Sequence, residues 1–274
     1  LFIFASMLAD VAGAPPKDRC VAIVSSTDLH GAIEPYELEV EGIKIRYGGL
    51  TAHSGYIARL RDRYGKRLVL LDAGDMYQGT LASNASLGQA VIQAYNVLGF
   101  TAIAIGNHEC EFGEGHHKGT RDRLWNLKER MAEARFPFLS VNIFEKSTHK
   151  PPAWKNFQSS MLVDAGGIQV EIIGGITPET PRVTLPINVT TLEFRDPAPF
   201  VVAEARALRT QGAELVVFVG HLGGKCESLR NPRDLSSCDP DSELFEMLQV
   251  LPKGTVDVAV GGHTHAFVAH WVNG

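Results

Sequence analysis

The sequence predicts an α/β protein whose chemistry gathers at strand ends. Three observations predict it: six short apolar runs recur along the chain, helical apolar stripes lie between several of them, and Gly-containing polar motifs directly follow five of the six. The runs cover residues 21–25, 67–71, 101–105, 168–173, 215–219 and 256–260. Unbroken apolar stretches of this length suit strands covered on both faces. Leu50, His53, Ile57, Leu60 and Tyr64 fall at helical spacing, as do Leu87, Val91, Ala94 and Leu98, which places each set on one helix face. Residues 37–40 and 43–47, joined through Glu41-Gly42, read as a hairpin inserted after the first strand. Alternating strands and helices define the α/β class, and in that class ligands collect beyond the carboxyl ends of strands.

Composition sets the outer limits. A chain of 274 residues is long enough for a large core and for one or two domains. Hydrophobic residues at 45% and charged residues at 21% are ordinary for a globular protein. The formal net charge of -5 argues against a nucleic-acid partner, whose non-specific binding needs a basic face. An anionic substrate stays open, because bound cations supply positive charge locally.

Residues 1–8 are apolar and Ala12-Gly13-Ala14 has a small-x-small form, with no Met and no basic segment ahead of them. Residues 1–19 are therefore expected to be a partial signal peptide and leader, which points to a secreted, periplasmic or cell-surface protein. Two sequons, Asn84-Ala85-Ser86 and Asn188-Val189-Thr190, agree with export. Four cysteines permit disulfides in an oxidising compartment. Cys226 and Cys238 flank a polar loop and are the expected pair; Cys20 and Cys110 are left unassigned.

The polar motifs carry the chemistry. The first run ends in Thr27-Asp28-Leu29-His30-Gly31, the second in Asp72-Ala73-Gly74-Asp75 and the third in Gly106-Asn107-His108-Glu109. Gly220-His221 and Gly261-Gly262-His263-Thr264-His265 follow the last two runs. A single Asp after a strand is usually a turn former or helix cap. Five strand ends that all carry metal-capable side chains are hard to explain as five unrelated turns. Imidazoles mixed with carboxylates and an amide oxygen suit Zn, Mn, Fe or Ni ions better than Ca or Mg alone. The lack of cysteine in the pattern argues against a closed structural zinc site.

In this order the five motifs resemble the calcineurin-like metallophosphoesterase superfamily. Asp75-Met76-Tyr77-Gln78-Gly79-Thr80 and Gly48-Gly49-Leu50 narrow the resemblance to the N-terminal catalytic domain of secreted 5′-nucleotidases. The resemblance covers residues 20–274 and implies a four-layer α/β/β/α sandwich. It further implies two divalent metal ions, one held by Asp28, His30 and His265, the other by Asn107, His221 and His263, with Asp75 as the bridge. Asp72 is the poorer bridge, since the family motif places its Asp directly after Gly.

His108 is the one histidine of the motifs left off the metals. Its expected role is to stabilise charge on a phosphoryl group or to protonate the leaving oxygen. The family usually continues Glu-Phe-Asp after this histidine; here the run is Glu109-Cys110-Glu111, so Glu111 is expected to orient His108 with one methylene more. His116 and His117 read as a solvated loop, His53, His149 and His270 as structural, and Trp125, Trp154 and Trp271 as core or loop anchors. The substrate implied is a small phosphate ester, most readily a nucleotide, cleaved by in-line attack of water. UDP-sugars and 2′,3′-cyclic nucleotides use the same kind of centre, and a binding protein on an inactive scaffold is the rival of another class. The residues that grip a nucleoside in this family lie in a second domain, which residues 20–274 are not expected to contain. Membrane anchoring and oligomeric state are not legible in the sequence.

Overall fold

Each of the six apolar runs forms a strand, with boundaries shifted by a few residues at most. The computed structural model describes residues 19–116, 119 and 121–273, so the signal-peptide reading and His117 lie outside the described residues. In chain order the first elements are β1 (Ala22–Ser26), β2 (Tyr36–Val40), β3 (Ile43–Tyr47), α1 (Gly49–Tyr64), β4 (Leu68–Asp72), α2 (Leu81–Asn84) and α3 (Gln89–Leu98). The middle of the chain forms β5 (Ala102–Ala104), α4 (Trp125–Glu133), β6 (Phe138–Leu139), β7 (Ile143–Glu145), β8 (Phe157–Gln158), β9 (Ser160–Asp164) and β10 (Gln169–Ile176). The last are α5 (Thr180–Val183), β11 (Leu192–Phe194), α6 (Ala198–Arg209), β12 (Leu215–His221), α7 (Glu243–Val250) and β13 (Val258–Val260).

The strands make two main sheets. One is parallel throughout, in the order β1-β4-β5-β6-β8. The other runs β13-β12-β10-β9, parallel except for the edge strand β9. Alternate residues of each strand serve two different cores. Val69 and Leu71 of β4 face Val170, Ile172, Val217 and Val219 across the gap between the sheets. Leu70 points the other way, into a cluster with Ile57 of α1, Tyr95 of α3 and Met131 of α4. On the far side, Ile173 and Phe218 pack under α6 and α7 with Val201 and Leu244. Three apolar layers between four structural layers give the expected α/β/β/α sandwich, and burial on both faces is why the runs are unbroken in sequence. The sheets touch backbone to backbone at Gly174, whose amide and carbonyl bond to Ser159 and Val141. A Cβ there would stand 2.3 Å from the Leu139 carbonyl carbon.

The β2–β3 hairpin forms as expected, paired from Tyr36↔Tyr47 to Val40↔Ile43. Leu87 departs from expectation: it precedes α3 in a left-handed turn (φ 49°), because Gly88 rather than Leu87 caps that helix. The expected disulfide joins Cys226 to Cys238, while Cys20 and Cys110 are free. Asn188 is 5% exposed and donates its amide to the carbonyls of Cys110 and Glu111, so its sequon offers no surface acceptor for a glycan. The Trp271 indole is 55% exposed, and this residue anchors its segment through its backbone N–H to Pro232 instead. Among the described residues, no helix is long and apolar enough to cross a membrane.

Candidate metal centre

All five motifs meet at the carboxyl edges of the two sheets. The first two are laced together by backbone bonds, Asp28 to Gly74, His30 to Asp75 and Gly31 to Met76, at 3.0, 2.9 and 3.0 Å. The third docks on the second through Gly106, where an added Cβ would lie 2.1 Å from Asp75 Oδ1. The fifth reaches back to the first across the sandwich. His263 donates its backbone N–H to both Asp28 carboxylate oxygens at 3.1 and 3.2 Å, and Gly262 leaves room for the Thr27 hydroxyl, 2.3 Å from where a Cβ would be.

These loops are strained. Asp28, His30, Asp75, His263 and His265 all have positive φ, between 46° and 80°, a region few non-glycine residues enter. Each such residue costs on the order of 1–3 kcal/mol and persists only where its surroundings hold it.

The expected ligand atoms fall into two groups that share Asp75. In the first, His30 Nδ1 is engaged by the Gln78 carbonyl at 3.1 Å, which makes Nδ1 the protonated nitrogen and turns a bare Nε2 toward His265 Nε2 at 3.0 Å. Asp28 Oδ1 stands 3.5 Å from that His265 nitrogen and 4.0 Å from His30 Nε2. In the second, His221 donates Nδ1–H to the Ala73 carbonyl at 2.9 Å. Its Nε2 then faces Asp75 Oδ2 at 3.0 Å, Asn107 Oδ1 at 3.1 Å and His263 Nδ1 at 3.2 Å. Asn107 is oriented by its own amide, which donates to the Val183 carbonyl at 2.9 Å. Asp75 Oδ2, 3.0 Å from His221, is also 3.9 Å from His30, so this one carboxylate lies between both groups. Asp28, His30 and His265 make one cluster with metal-ligand spacing, and Asp75, His221 and His263 make another.

Ring nitrogens, carboxylate oxygens and an amide oxygen converge at both places. Such an arrangement attracts positive charge. Burial alone would lower the His221 pKa, but the Asp75 carboxylate beside it reverses the effect and raises it. Asp75 is itself driven down by His221 in spite of its own burial. Neutral imidazoles whose far nitrogen is fixed by a backbone carbonyl, an amide oxygen and two carboxylates are the donors that divalent cations of the Zn, Mn and Fe type take. The residues fit such ions.

Of the two residues expected to act beside the ions, His108 stands at the rim, its ring edge-on to His30 with centroids 4.9 Å apart. Its backbone N–H is held by Asp75 Oδ1 at 2.9 Å. Glu111 Oε2 lies 3.0 Å from His108 Nδ1, yet the angle at the ring makes no hydrogen bond there. The ring is less firmly oriented than a hydrogen bond would make it. Asp72 turns away from the centre. It accepts from Ser26, Tyr95 and the Gly74 N–H, and burial pushes its pKa up to about 7.

Sequence reasoning missed Glu109. It is 1% exposed, and its carboxylate accepts the backbone N–H groups of Gly106, Asp75, Met76 and Tyr77 at 2.7, 2.8, 3.0 and 3.4 Å. Glu109 thus staples the third motif to the second. The available signal was a charged residue set between His108 and the apolar Cys110. His53 is buried against Phe100, and burial lowers its pKa to about 4. His149 pairs with Glu193 at the surface.

A four-layer sandwich with Asp, Asn and His side chains clustered on the carboxyl ends of both sheets is the arrangement of a metallophosphoesterase, and the family model for calcineurin-like phosphoesterases matches residues 22–267. The chain belongs to that family. It is similar to the snake venom 5′-nucleotidase of Gloydius brevicauda, 32% identical over 90% of this chain and 37% of that protein. Protein UshA of Escherichia coli is 28% identical over 94% of this chain and 43% of its own length. The 5′-nucleotidase precursor of Thermus thermophilus superposes with a TM-score of 0.69 at 29% identity, covering 89% of this chain and 41% of that one. The chain thus spans less than half the length of these relatives.

Proposed function

We propose that residues 20–274 form the metal-binding catalytic domain of a 5′-nucleotidase-type phosphohydrolase that acts outside the cytoplasm on a nucleotide phosphate ester. The observation that carries this reading is the double convergence of metal-capable atoms: His30 and His265 at 3.0 Å, and His221 with Asp75, Asn107 and His263 at 3.0–3.2 Å. Asp28, His30 and His265 would hold one divalent cation, Asn107, His221 and His263 the other, and Asp75 both. Ions so held supply Lewis acidity to a phosphoryl group and to the water that attacks it.

The remaining roles belong to the chain. His108, at the rim beside His30 and Asp75, donates a proton or hydrogen bond to the phosphoryl or leaving-group oxygen. Glu111, 3.0 Å from the other nitrogen of that ring, is placed to orient it. Glu109 holds the Asp75 and Asn107 loops in register. Similarity to 5′-nucleotidases over about nine-tenths of the chain supports the nucleotide as substrate, and the Cys226–Cys238 disulfide supports an oxidising compartment.

The test is phosphate release from AMP, UDP-glucose, ATP and 2′,3′-cyclic AMP with added Mn²⁺ or Zn²⁺. AMP should be preferred, and Asp75→Asn should lower the rate by a factor on the order of 10²–10³ with loss of bound metal. No release from any of the four substrates together with no bound metal would overturn the hydrolase reading for this chain.

A further inference from the structure

Cys226 and Cys238 lie apart from the strand-end cluster, in the loop between β12 and α7. They face each other as an antiparallel bridge. Two backbone hydrogen bonds flank them, Glu227 N–H to the Ser237 carbonyl and Asp239 N–H to the Lys225 carbonyl, both 2.9 Å. The loop is therefore closed by its backbone as well as by sulfur, and opening the disulfide leaves two thiols side by side.

His270 stands over this pair. Its segment is tied to the same loop by the Trp271 N–H, which donates to the Pro232 carbonyl at 2.7 Å. One imidazole nitrogen and the two sulfurs lie within 4.8 Å of one another. Both ring nitrogens are shut off from solvent, and neither has a hydrogen-bond partner. A neutral imidazole has one N–H and one lone pair, and each polar atom buried without a partner costs about 1–3 kcal/mol. Buried groups in this condition ask for a ligand. A neutral imidazole nitrogen beside two thiolates is the donor set that Zn²⁺ takes.

We propose that the reduced form of this loop is a site for Zn²⁺ or a similarly soft divalent cation, held by Cys226, Cys238 and His270 and independent of the phosphoesterase centre. A phosphine reductant passes two electrons to the S–S bond and becomes its oxide with oxygen from water, whose two protons cap the sulfurs. The cation then displaces both thiol protons to solvent and binds two thiolates and the lone pair of His270. Asp234, whose carboxyl is held low mainly by Ser236 and in smaller part by His270, adds negative charge next to the ligating ring.

Cobalt reports on it directly. The full chain, reduced with a water-soluble phosphine and desalted without air, is titrated with Co²⁺ beside an unreduced sample. The expected result is a near-ultraviolet sulfur-to-cobalt charge-transfer band that appears only after reduction. The strand-end centre has nitrogen and oxygen donors and gives no such band, and the Cys20 and Cys110 thiols are present in both samples. His270→Ala should weaken cobalt binding at that band by roughly tenfold or more, and His270→Cys should restore it. If His270→Ala does not fold, His270→Gln is the variant of closer size. A reduced wild type without the band, or a folded His270 variant that binds cobalt as tightly as wild type, would overturn the site.

Discussion

Glu109 shows what a single buried carboxylate does when its partners are amides. Burial and the nearby Asp75 charge push its pKa up, and four backbone N–H groups oppose them by favouring the anion. Glu109→Gln keeps the size but turns an NH₂ toward donors. Hydrogen bonds to charged groups contribute about 1.5–3 kcal/mol each, so losing one or two in part should cost about 2–4 kcal/mol. That corresponds to a drop in Tm of roughly 5–15 °C, read by calorimetry. An unchanged Tm would mean that the two loops are held together by other contacts.

At the scale of elements, β10 carries a liability that shows in pH dependence. Glu171 is buried under α6 with neither carboxylate oxygen partnered. Desolvation and Glu204 raise its pKa from the ordinary 4.5 to about 8. The folded state then keeps a proton that the unfolded chain gives up between these values, so the contribution of this residue to stability falls as pH rises from 4.5 toward 8. Glu171→Gln should be neutral near pH 4.5 and stabilising by about 1–3 kcal/mol near pH 8, measured by denaturant unfolding at both pH values. A gain that is equal at both would show that Glu171 does not titrate in this range. The β2–β3 hairpin is the opposite case. Tyr36, Leu38 and Val40, with their partners Tyr47, Ile45 and Ile43, are all 45–65% exposed. Replacing residues 37–46 by a short Gly-containing turn should shift Tm by less than about 2 °C, because little apolar area leaves the core.

For the whole molecule the sandwich holds two sheets together where their charged edges meet. Five of the candidate ligands sit in left-handed backbone, and several of their polar atoms crowd one another. Cations that bind only the folded form offset that cost by mass action, about 2.7 kcal/mol per site at a hundredfold excess over Kd. EDTA should therefore lower Tm by several degrees, and added Mn²⁺ or Zn²⁺ should restore it along a saturable curve. Asp75→Asn should flatten that curve. A Tm that does not respond to chelation would mean that the fold bears the strain without ions.

Local sequence determined the strands, because burial on both faces demands unbroken apolar runs. It determined the ligand types as well, because Asp, Asn and His stand directly after those runs. The disulfide was legible for a similar reason, since its two cysteines flank one short loop. How these side chains combine came from the family resemblance and not from any local pattern, and tertiary structure is what brings them together. His30 meets His265 across 235 residues, and no local pattern reports a contact that depends on two sheets packing face to face. It also decided the left-handed backbone at Asp28, His30, Asp75, His263 and His265, which local propensity opposes and only surrounding contacts can hold. Glu109 and His270 stayed hidden because their surroundings are made by distant segments: amides of another loop for one, a pair of sulfurs for the other.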